Sequence, residues 1–489
     1  MQTSELFSYF TIKTVIGELP LEIDHIHVDS REVQENSIFI CTKGFTVDSH
    51  EFYHEAIDRG ATVIVSEKAL DVDESKAAVV IVKDTYKALA HIANKFYDYP
   101  SSKLNIFGVT GTNGKTTVTT LIYRLLQHVN QKAALTGTIG FEMNGTRMKS
   151  ENTTCDLLTN QKLLQETVDR DISNMVMEVS SHGLCQGRLW GIDFDVVTFT
   201  NLSQDHLDYH DSMEQYGYIK GLLFAQLGQD LKREKYIVLN EDDPWFKTYS
   251  FWSPFEVISY GLQTDADFTA SNIQYKSDHT TFTLHSPEGE YDLKAPLLGE
   301  FNVYNILAAM ASLFAKGIHV SEMVEAFIDM EPINGRMEKL KLDVPVDLYV
   351  DYAHTSDAIE KSIQAILPFK QKRLIFLVGT GGDRDPHKRP DMGKKASAAD
   401  YVILTINDPR TEDPNKIVAD MEKGMLHENY VTITERKAAI AHAIEISEPG
   451  DIVVFAGKGQ EDYQVVGTKK VPHSDFDLAR EFAEKKYKK

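Results

Sequence analysis

Ile106-Phe-Gly-Val-Thr-Gly-Thr-Asn-Gly-Lys-Thr-Thr117 decides how this chain is read. Leu104, Ile106, Phe107 and Val109 form a short apolar run of the kind that becomes a buried strand. Gly111 and Gly114 interrupt it, and Leu121, Ile122, Leu125 and Leu126 then recur at helical spacing. Strand, glycine turn and helix in that order make a phosphate site. The first turn of a helix presents unpaired N–H groups and a positive dipole end, and glycines let backbone approach an anion closely. Gly111, Thr112, Asn113, Gly114, Lys115, Thr116 and Thr117 are therefore the expected nucleotide-binding residues. Lys115 is placed to reach the β/γ-phosphates of a nucleoside triphosphate, and the Thr116 hydroxyl to sit on Mg²⁺. The spacing departs from the common pattern, because Val109 stands five residues before Gly114 and the nearest glycine is Gly108.

Around this loop the composition is that of a globular protein of several domains, with 489 residues, 42% hydrophobic and 25% charged. The balance of 51 basic against 73 acidic residues gives a formal charge of −22. That disfavours nucleic acid as a partner, so an anionic substrate must be gripped by a few placed cations and helix starts. The N-terminal residues carry no secretory pattern and no 18-residue apolar run occurs, so neither a leader nor a membrane span is expected. Cys41, Cys155 and Cys185 are scattered, which suits a reducing cytoplasm and not a zinc site.

On the N-terminal side, residues 1–100 alternate short apolar runs (Ser37–Cys41, Ala61–Val65, Ala78–Val82) with helical patterns, a small α/β domain. Asp29-Ser30-Arg31 follows an apolar stretch in it. Residues 104–332 form a central domain with polar motifs at strand ends. Met175–Val179 carries Glu178 and leads to Ser180-Ser-His182, and Val196–Thr200 leads to Asn201-Leu-Ser-Gln-Asp-His-Leu-Asp-Tyr-His210. A lone carboxylate is costly in an apolar strand, so Glu178 is read as a metal ligand in preference to half of a buried salt bridge. Asp205, His206, Asp208 and His210 do not have the spacing of a zinc protease. Lys220, among Ile219, Leu222, Leu223 and Phe224, reads by itself as a lysine snorkelling from the edge of an amphipathic helix. Asn302 is the expected cap of a helix over Val303–Ala315. Residues 333–489 make a third α/β unit. Its four apolar strands end in Ala353-His-Thr355, Gly379-Thr-Gly-Gly-Asp-Arg-Asp385, Asn407-Asp-Pro-Arg410 and Ala456-Gly-Lys-Gly-Gln-Glu461, the pattern of a doubly wound sheet with its site at one rim.

Thr110–Thr116, Glu178-Val-Ser-Ser-His182, Thr200–Asp208, Asn302-Val-Tyr-Asn305, Gly335-Arg336, Asp351-Tyr-Ala-His354 and Gly381–Asp385 together resemble the Mur ligases, the ATP-dependent amide-forming enzymes of peptidoglycan precursor synthesis. Asp29-Ser-Arg31, Asn152-Thr-Thr154, Gln186-Gly-Arg188, Asn407–Arg410 and Gly457–Glu461 narrow the resemblance to the MurE branch. That branch adds a third residue to UDP-N-acetylmuramoyl-L-alanyl-D-glutamate.

The resemblance implies an α/β chain of three domains: a UDP-binding domain (1–100), a P-loop ATPase with a parallel sheet (104–332) and a Rossmann-like domain for the incoming amino acid (333–489). It implies ATP as co-substrate, Mg²⁺, an acyl-phosphate intermediate, a cytoplasmic location and action as a monomer. Lys115, Lys220, Glu178 and His206 become the catalytic residues, and Thr116, Glu178, His206 and Lys220 the metal ligands. Here Lys220 carries a carbamate made with CO₂, which reverses the reading of that lysine from its neighbours alone. Asn302, Asn305, Arg336, Asp351 and His354 match ATP contacts. Ser30, Thr153, Thr154, Ser180, Gln186 and Arg188 match contacts to the UDP-muramoyl peptide. Arg384, Asn407, Asp408, Pro409, Arg410, Gly457 and Glu461 match the amino-acid pocket.

Arg410 favours meso-diaminopimelate as the amine, because a guanidinium grips its second carboxylate and lysine offers none. L-lysine is the alternative. Asn407-Asp408 reverses the Asp-Asn order usual before that arginine, Gln460 replaces a usual histidine, and Val471-Pro-His473 looks like the lysine-adding enzymes. Two other classes fit less well: a folylpolyglutamate-synthetase-like ligase, which lacks the domain before the P-loop, and a non-enzymatic NTP switch.

Overall fold

The computed structural model describes residues 1–44, 47–143, 145–148 and 152–488. The chain forms two compact units, Met1–Phe107 with Lys132–Asp195, and Gly108–Gln131 with Val196–Lys489. The division falls inside the strand Asn105–Thr110.

In the first unit, strands Thr14–Ile16, Ala78–Ile81, Ala61–Ser66, Ser37–Ile40 and His25–His27 lie side by side in that order. All neighbours are parallel except the first pair. Ile38, Ile40, Val63, Val65 and Val80 bury one core with Ala88, Ile92 and Ala93 of the helix Thr85–Phe96. Asp84 caps that helix by accepting from the Lys87 amide. The same unit holds Ala133–Gly137 paired parallel with Asn174–Glu178 and antiparallel with Gly140–Met143.

In the second unit, Val196–Phe199, Tyr236–Asn240 and Glu256–Tyr260 run parallel, and Thr269–Tyr275, Thr280–Ser286 and Gly289–Ala295 form an antiparallel meander. A six-stranded sheet follows in the order Glu338–Lys339, Asp347–Asp351, Ile452–Ala456, Leu374–Thr380, Tyr401–Ile406, Tyr430–Thr432, parallel except at its first pair. Its central strands are apolar throughout because both faces are covered. Tyr349, Phe376, Val378, Leu404 and Val454 face Ile359, Ile363 and Met392. Leu348, Val350, Ile375, Ile403 and Phe455 face Ala439, Ile440, Ala443, Ala479 and Ala483. The loops 352–355, 381–385, 407–413 and 457–461 consequently leave from one rim, the carboxyl ends of the strands.

One helix start differs from the sequence expectation. The helix spans Glu300–Phe314 and its cap is Gly299, whose φ of +89° suits glycine. Asn302 lies inside the first turn, where its side-chain amide donates back to the Leu298 carbonyl at 2.8 Å. Among the described residues, no helix is long and apolar enough to cross a membrane.

Candidate active site

The glycine loop is built against the end of the strand Val196–Phe199. Gly111 passes so close to Thr200 that a Cβ would overlap the hydroxyl, and Thr200 Oγ1 donates to the Asn113 carbonyl at 2.6 Å. Asn201 braces the same turn twice: its Nδ2 donates to the Asn113 carbonyl at 3.0 Å, and its Oδ1 accepts from the Asn113 amide at 3.1 Å. The Thr112 amide donates to the Asn201 carbonyl at 2.8 Å. Gly114, at φ +90°, caps the helix Lys115–His128, with Asn305 where a Cβ would point. Thr116 and Thr117 lie in the first turn of that helix.

Cations gather on this loop. Lys115 Nζ donates to the carbonyls of Gly111 and Thr112 at 2.9 and 2.8 Å. Arg336 Nη2 donates to Thr116 Oγ1 at 2.9 Å, and its guanidinium lies 4.5 Å from the Tyr352 ring centre. Lys220 does not snorkel. It is 1% exposed on the helix Met213–Ala225, and its Nζ donates to the Gly111 carbonyl at 2.7 Å. Burial, together with the nearby Lys115, lowers its pKa well below the ordinary lysine value, and Asp205 opposes the shift. That shift favours the neutral amine. The sequence misleads here because a lysine among apolar helix neighbours reads as one that reaches solvent, and only the fold turns Lys220 toward the Gly111 carbonyl.

Asp205 is the anion opposite these cations. Its Oδ1 accepts from the His206 amide at 2.9 Å and lies 3.4 Å from Lys388 Nζ. Burial pushes its carboxyl up, but Lys388, His206 and His354 outweigh burial and hold it well below the usual range. His206 stands at φ +55° with its ring beside Asp205. His210 is buried and its ring centre is 5.1 Å from that of Tyr216. Among the described residues, no group of three or more His, Cys, Asp or Glu side chains gathers as a metal cage.

A cavity of roughly 460 Å³ opens beside the loop, lined by Asn113, Gly114, Asn305, Arg336, Asp351 and His354 among others. Asn302 lies behind its wall, fully buried, and accepts from Asn305 Nδ2 at 3.0 Å. Asp351 accepts from the amides of Met337 and Tyr352 at 3.1 and 2.9 Å. His354 Nδ1 is 2.9 Å from the Tyr352 carbonyl, and burial lowers its pKa. Asp357, which the sequence reading passed over, accepts from Asn113 Nδ2 at 2.8 Å and pairs with Lys361 at 2.9 Å.

In the first unit, Glu178 ends its strand 1% exposed, accepting from the Thr138 amide at 2.9 Å and hydroxyl at 3.1 Å. Gly137 leaves room for it, since a Cβ there would overlap the carboxylate. Thr153 Oγ1 is 3.1 Å from Thr138 Oγ1. Thr154 Oγ1 donates to the Glu178 carbonyl and accepts from the Ser180 amide, both at 2.9 Å. Arg188 Nη1 donates to the Thr154 carbonyl at 2.7 Å, and Arg188 also grips Gln186 Oε1 at 2.9 and 2.7 Å. Ser180 caps the helix Ser181–Cys185. Ser30, buried in a short turn capped by Asp29, donates to Glu55 Oε2 at 2.8 Å. Thr153, Thr154, Ser180, Gln186 and Arg188 thus form one cluster with Glu178.

The third group lies on the rim of the six-stranded sheet. Arg384 is exposed on the 381–385 loop. Arg410, at φ +49°, donates through Nη1 to the Gly382 carbonyl at 2.9 Å. Asp408 Oδ1 accepts from Lys458 Nζ at 3.0 Å and from the Val465 amide at 2.8 Å, and its Oδ2 is 3.9 Å from Arg410. Lys458, wholly buried, also pairs closely with Glu461. Tyr352 OH donates to Glu461 Oε1 at 3.3 Å. Pro409 packs its carbonyl where a Cβ on Gly382 would go. Gly457, at φ +111°, abuts Asn407. Asn407 is buried, its Oδ1 accepting from Arg436 and its Nδ2 donating to the Gly457 carbonyl. Lys458 and Arg436 escaped the sequence reading because nothing local marks a lysine between two glycines, or an arginine opening a helix, as a buried charge.

Comparison with known proteins agrees with this architecture. Family models match residues 22–97 (Mur ligase family, catalytic domain), 109–313 (Mur ligase middle domain) and 335–459 (Mur ligase, glutamate ligase domain). The chain is 51% identical over 483 residues to the UDP-N-acetylmuramyl-tripeptide synthetase 2 of Oceanobacillus iheyensis, covering 98% of each. It is 44% identical over 488 residues to a UDP-N-acetylmuramoyl-L-alanyl-D-glutamate–L-lysine ligase of Staphylococcus epidermidis, covering 100% of this chain and 99% of the other. A solved UDP-N-acetylmuramoyl-L-alanyl-D-glutamate–2,6-diaminopimelate ligase superposes with a TM-score of 0.70 at 31% identity, covering 99% of each chain.

The chain belongs to the Mur ligase family. It is an ATP-dependent ligase with the three α/β domains of that family, and its place is among the MurE-type enzymes that add the third residue.

Proposed function

We propose that the chain joins the α-amine of L-lysine to the D-glutamate carboxylate of UDP-N-acetylmuramoyl-L-alanyl-D-glutamate, in the cytoplasm and as a monomer. Residues 1–100 hold the UDP end, 104–332 hold ATP, and 333–489 hold the amino acid. A carboxylate is a poor electrophile, and transfer of the γ-phosphoryl to it supplies a leaving group. The amine then attacks the acyl carbon, and the tetrahedral intermediate expels inorganic phosphate. Such a transfer depends mainly on positioning and on neutralising charge.

Lys115, Thr116 and Arg336 are assigned to the β/γ-phosphates, and Asn113, Asn305, Asp351 and His354 to the walls of the nucleotide pocket. Thr153, Thr154, Ser180, Gln186 and Arg188, with Ser30, hold the muramoyl peptide. The observation that carries the reading is that Lys115, Lys220 and Arg336 all converge on one glycine loop beside the cavity. The hard oxygen donors at the loop, the Thr116 hydroxyl and Lys220 as its carbamate, suit Mg²⁺ held largely by phosphates and water; Glu178 is assigned as a ligand on the family resemblance alone. Bound there, Mg²⁺ would neutralise charge developing on the phosphoryl oxygens; His206 is assigned beside it.

Lysine is preferred over diaminopimelate for two reasons. Relatives at 44–45% identity are L-lysine ligases, whereas the diaminopimelate ligase superposes at 31%. The pocket chemistry agrees. Asp408 and Glu461 offset Arg410 and Lys458, so Arg410 faces a carboxylate of its own chain. A second substrate carboxylate would compete with Asp408, while an ammonium gains from it. An ATP-dependent ligation assay with both amines tests this. Higher kcat/KM with lysine is expected, and higher kcat/KM with diaminopimelate would refute the choice.

A further inference from the structure

The loops that carry Asn407 and Gly457 are not held by their own strands alone. Asn407 follows the strand Tyr401–Ile406, and Gly457 follows Ile452–Ala456; Leu374–Thr380 lies between the two in the sheet. The Asn407 side chain crosses over that middle strand at Gly379, where a Cβ would collide with Oδ1. It then donates through Nδ2 to the Gly457 carbonyl at 3.2 Å. Each polar atom of Asn407 has a partner inside the protein, which fixes the orientation of its side chain.

What fixes Asn407 in turn is Arg436. This guanidinium is wholly buried. Nη1 donates to Asn407 Oδ1 at 2.8 Å, and Nη2 to the Ala456 carbonyl at 3.0 Å. Nε and Nη2 form a two-pronged pair with the Asp475 carboxylate at 2.9 and 2.5 Å. His473 Nε2 lies 2.8 Å from the same carboxylate. Burial pushes the Asp475 carboxyl up, but Arg436 and His473 outweigh it and hold it well below the usual range, so the pair stays ionised. Arg436 opens the helix Arg436–Ile446 and Asp475 the helix Asp475–Tyr487. Two helix starts thereby clamp the ends of two strands. A planar fork satisfied by three partners has one geometry, which a flexible lysine lacks.

We propose that Arg436 and Asp475 are positioning residues for the amine pocket, fixing the 407–410 and 457–461 loops through Asn407 and so setting the KM for the incoming amino acid. This rests on the reading that those loops hold the amine. The pair touches neither ATP nor the muramoyl peptide in that reading, so its loss should separate the two halves of the reaction. Arg436→Lys keeps the charge but loses the fork, and Asp475→Asn keeps the volume but loses the charge. His473→Gln is the mildest variant.

The test measures amine-dependent turnover, and separately the hydroxamate formed when hydroxylamine traps acyl phosphate with no amino acid present. The expected result for Arg436→Lys and Asp475→Asn is an amine KM raised about tenfold or more, with trapping and the KM for ATP within about twofold of the parent. His473→Gln should raise the amine KM less. An unchanged amine KM in folded variants would overturn the proposal. So would parallel loss of trapping and turnover, or loss of folding in all three, since either marks the pair as merely holding the fold. Glu461→Gln, measured alongside, separates the premises: if it leaves the amine KM unmoved, the placement of the amine fails, whatever the Arg436 variants do.

Discussion

Two corners of the second unit use charge in opposite ways. Around the glycine loop, Lys115, Lys220 and Arg336 concentrate positive charge on backbone carbonyls and a hydroxyl, with Asp205 and Asp351 the buried carboxylates beside them. Around Asp408, two cations and two carboxylates cancel pairwise. The first corner suits a polyanion that brings its own negative charge. The second suits a zwitterion, whose recognition depends on where charges lie more than on their sum. An excess of cations would favour any anion there, whereas a balanced set penalises each misplaced charge.

The largest expected effect belongs to the concentrated corner. Lys115→Ala should lower kcat by on the order of 10³-fold with the fold intact, as loss of a phosphate-stabilising group does; steady-state kinetics beside a thermal melt checks this. Near-wild-type turnover would erase the contrast. Lys220→Gln comes next, with an expected fall of about 10²-fold. Because burial keeps the Lys220 pKa below the ordinary value, protonation sets in only at lower pH than for an exposed lysine. Carbamate formation needs the neutral amine, so activity in CO₂-depleted buffer should drop, and bicarbonate should restore it more fully as pH rises. Restoration that improves as pH falls would have the wrong sign.

The balanced corner sharpens the comparison at smaller scale. Asp408→Asn removes the internal competitor for Arg410 and should move the lysine-to-diaminopimelate ratio of kcat/KM by about tenfold toward diaminopimelate. A ratio that stays fixed would mean Asp408 does not set the charge balance.

The smallest effect is on stability. Glu412 is held by hydrogen bonds from the buried Arg389, which lower its pKa from the ordinary 4.5 to about 2. A carboxyl depressed by folding contributes stability above its unfolded pKa, and that contribution fades as pH falls from about 4.5 toward 2. Urea unfolding of Glu412→Gln should show a deficit at neutral pH that shrinks near pH 3. A deficit independent of pH would point to packing alone.

How much of this was legible beforehand follows from what each feature depends on. The P-loop and the strands of the six-stranded sheet announce themselves locally, because apolar runs ending in Gly, Asp and Arg clusters are properties of adjacent residues. Lys220 needed the family resemblance, since its helix neighbours favoured the wrong environment. Asn302 was given the cap that belongs to Gly299, because the φ of a glycine is invisible in sequence while an asparagine advertises capping. Arg436 and Asp475 were not legible at all. They are 39 residues apart, and only the packing of two helices on one sheet face makes them partners. Arg410 was legible as a guanidinium, but not as one shared with Asp408.

The central claim is that the terminal phosphoryl of ATP, parked on the glycine loop, activates the substrate's carboxylate. The most direct test follows an oxygen atom. With ¹⁸O in the D-glutamate carboxylate, ligation by the wild-type enzyme should deliver one labelled oxygen into the inorganic phosphate for each amide formed. Unlabelled phosphate at full amide yield would contradict the account.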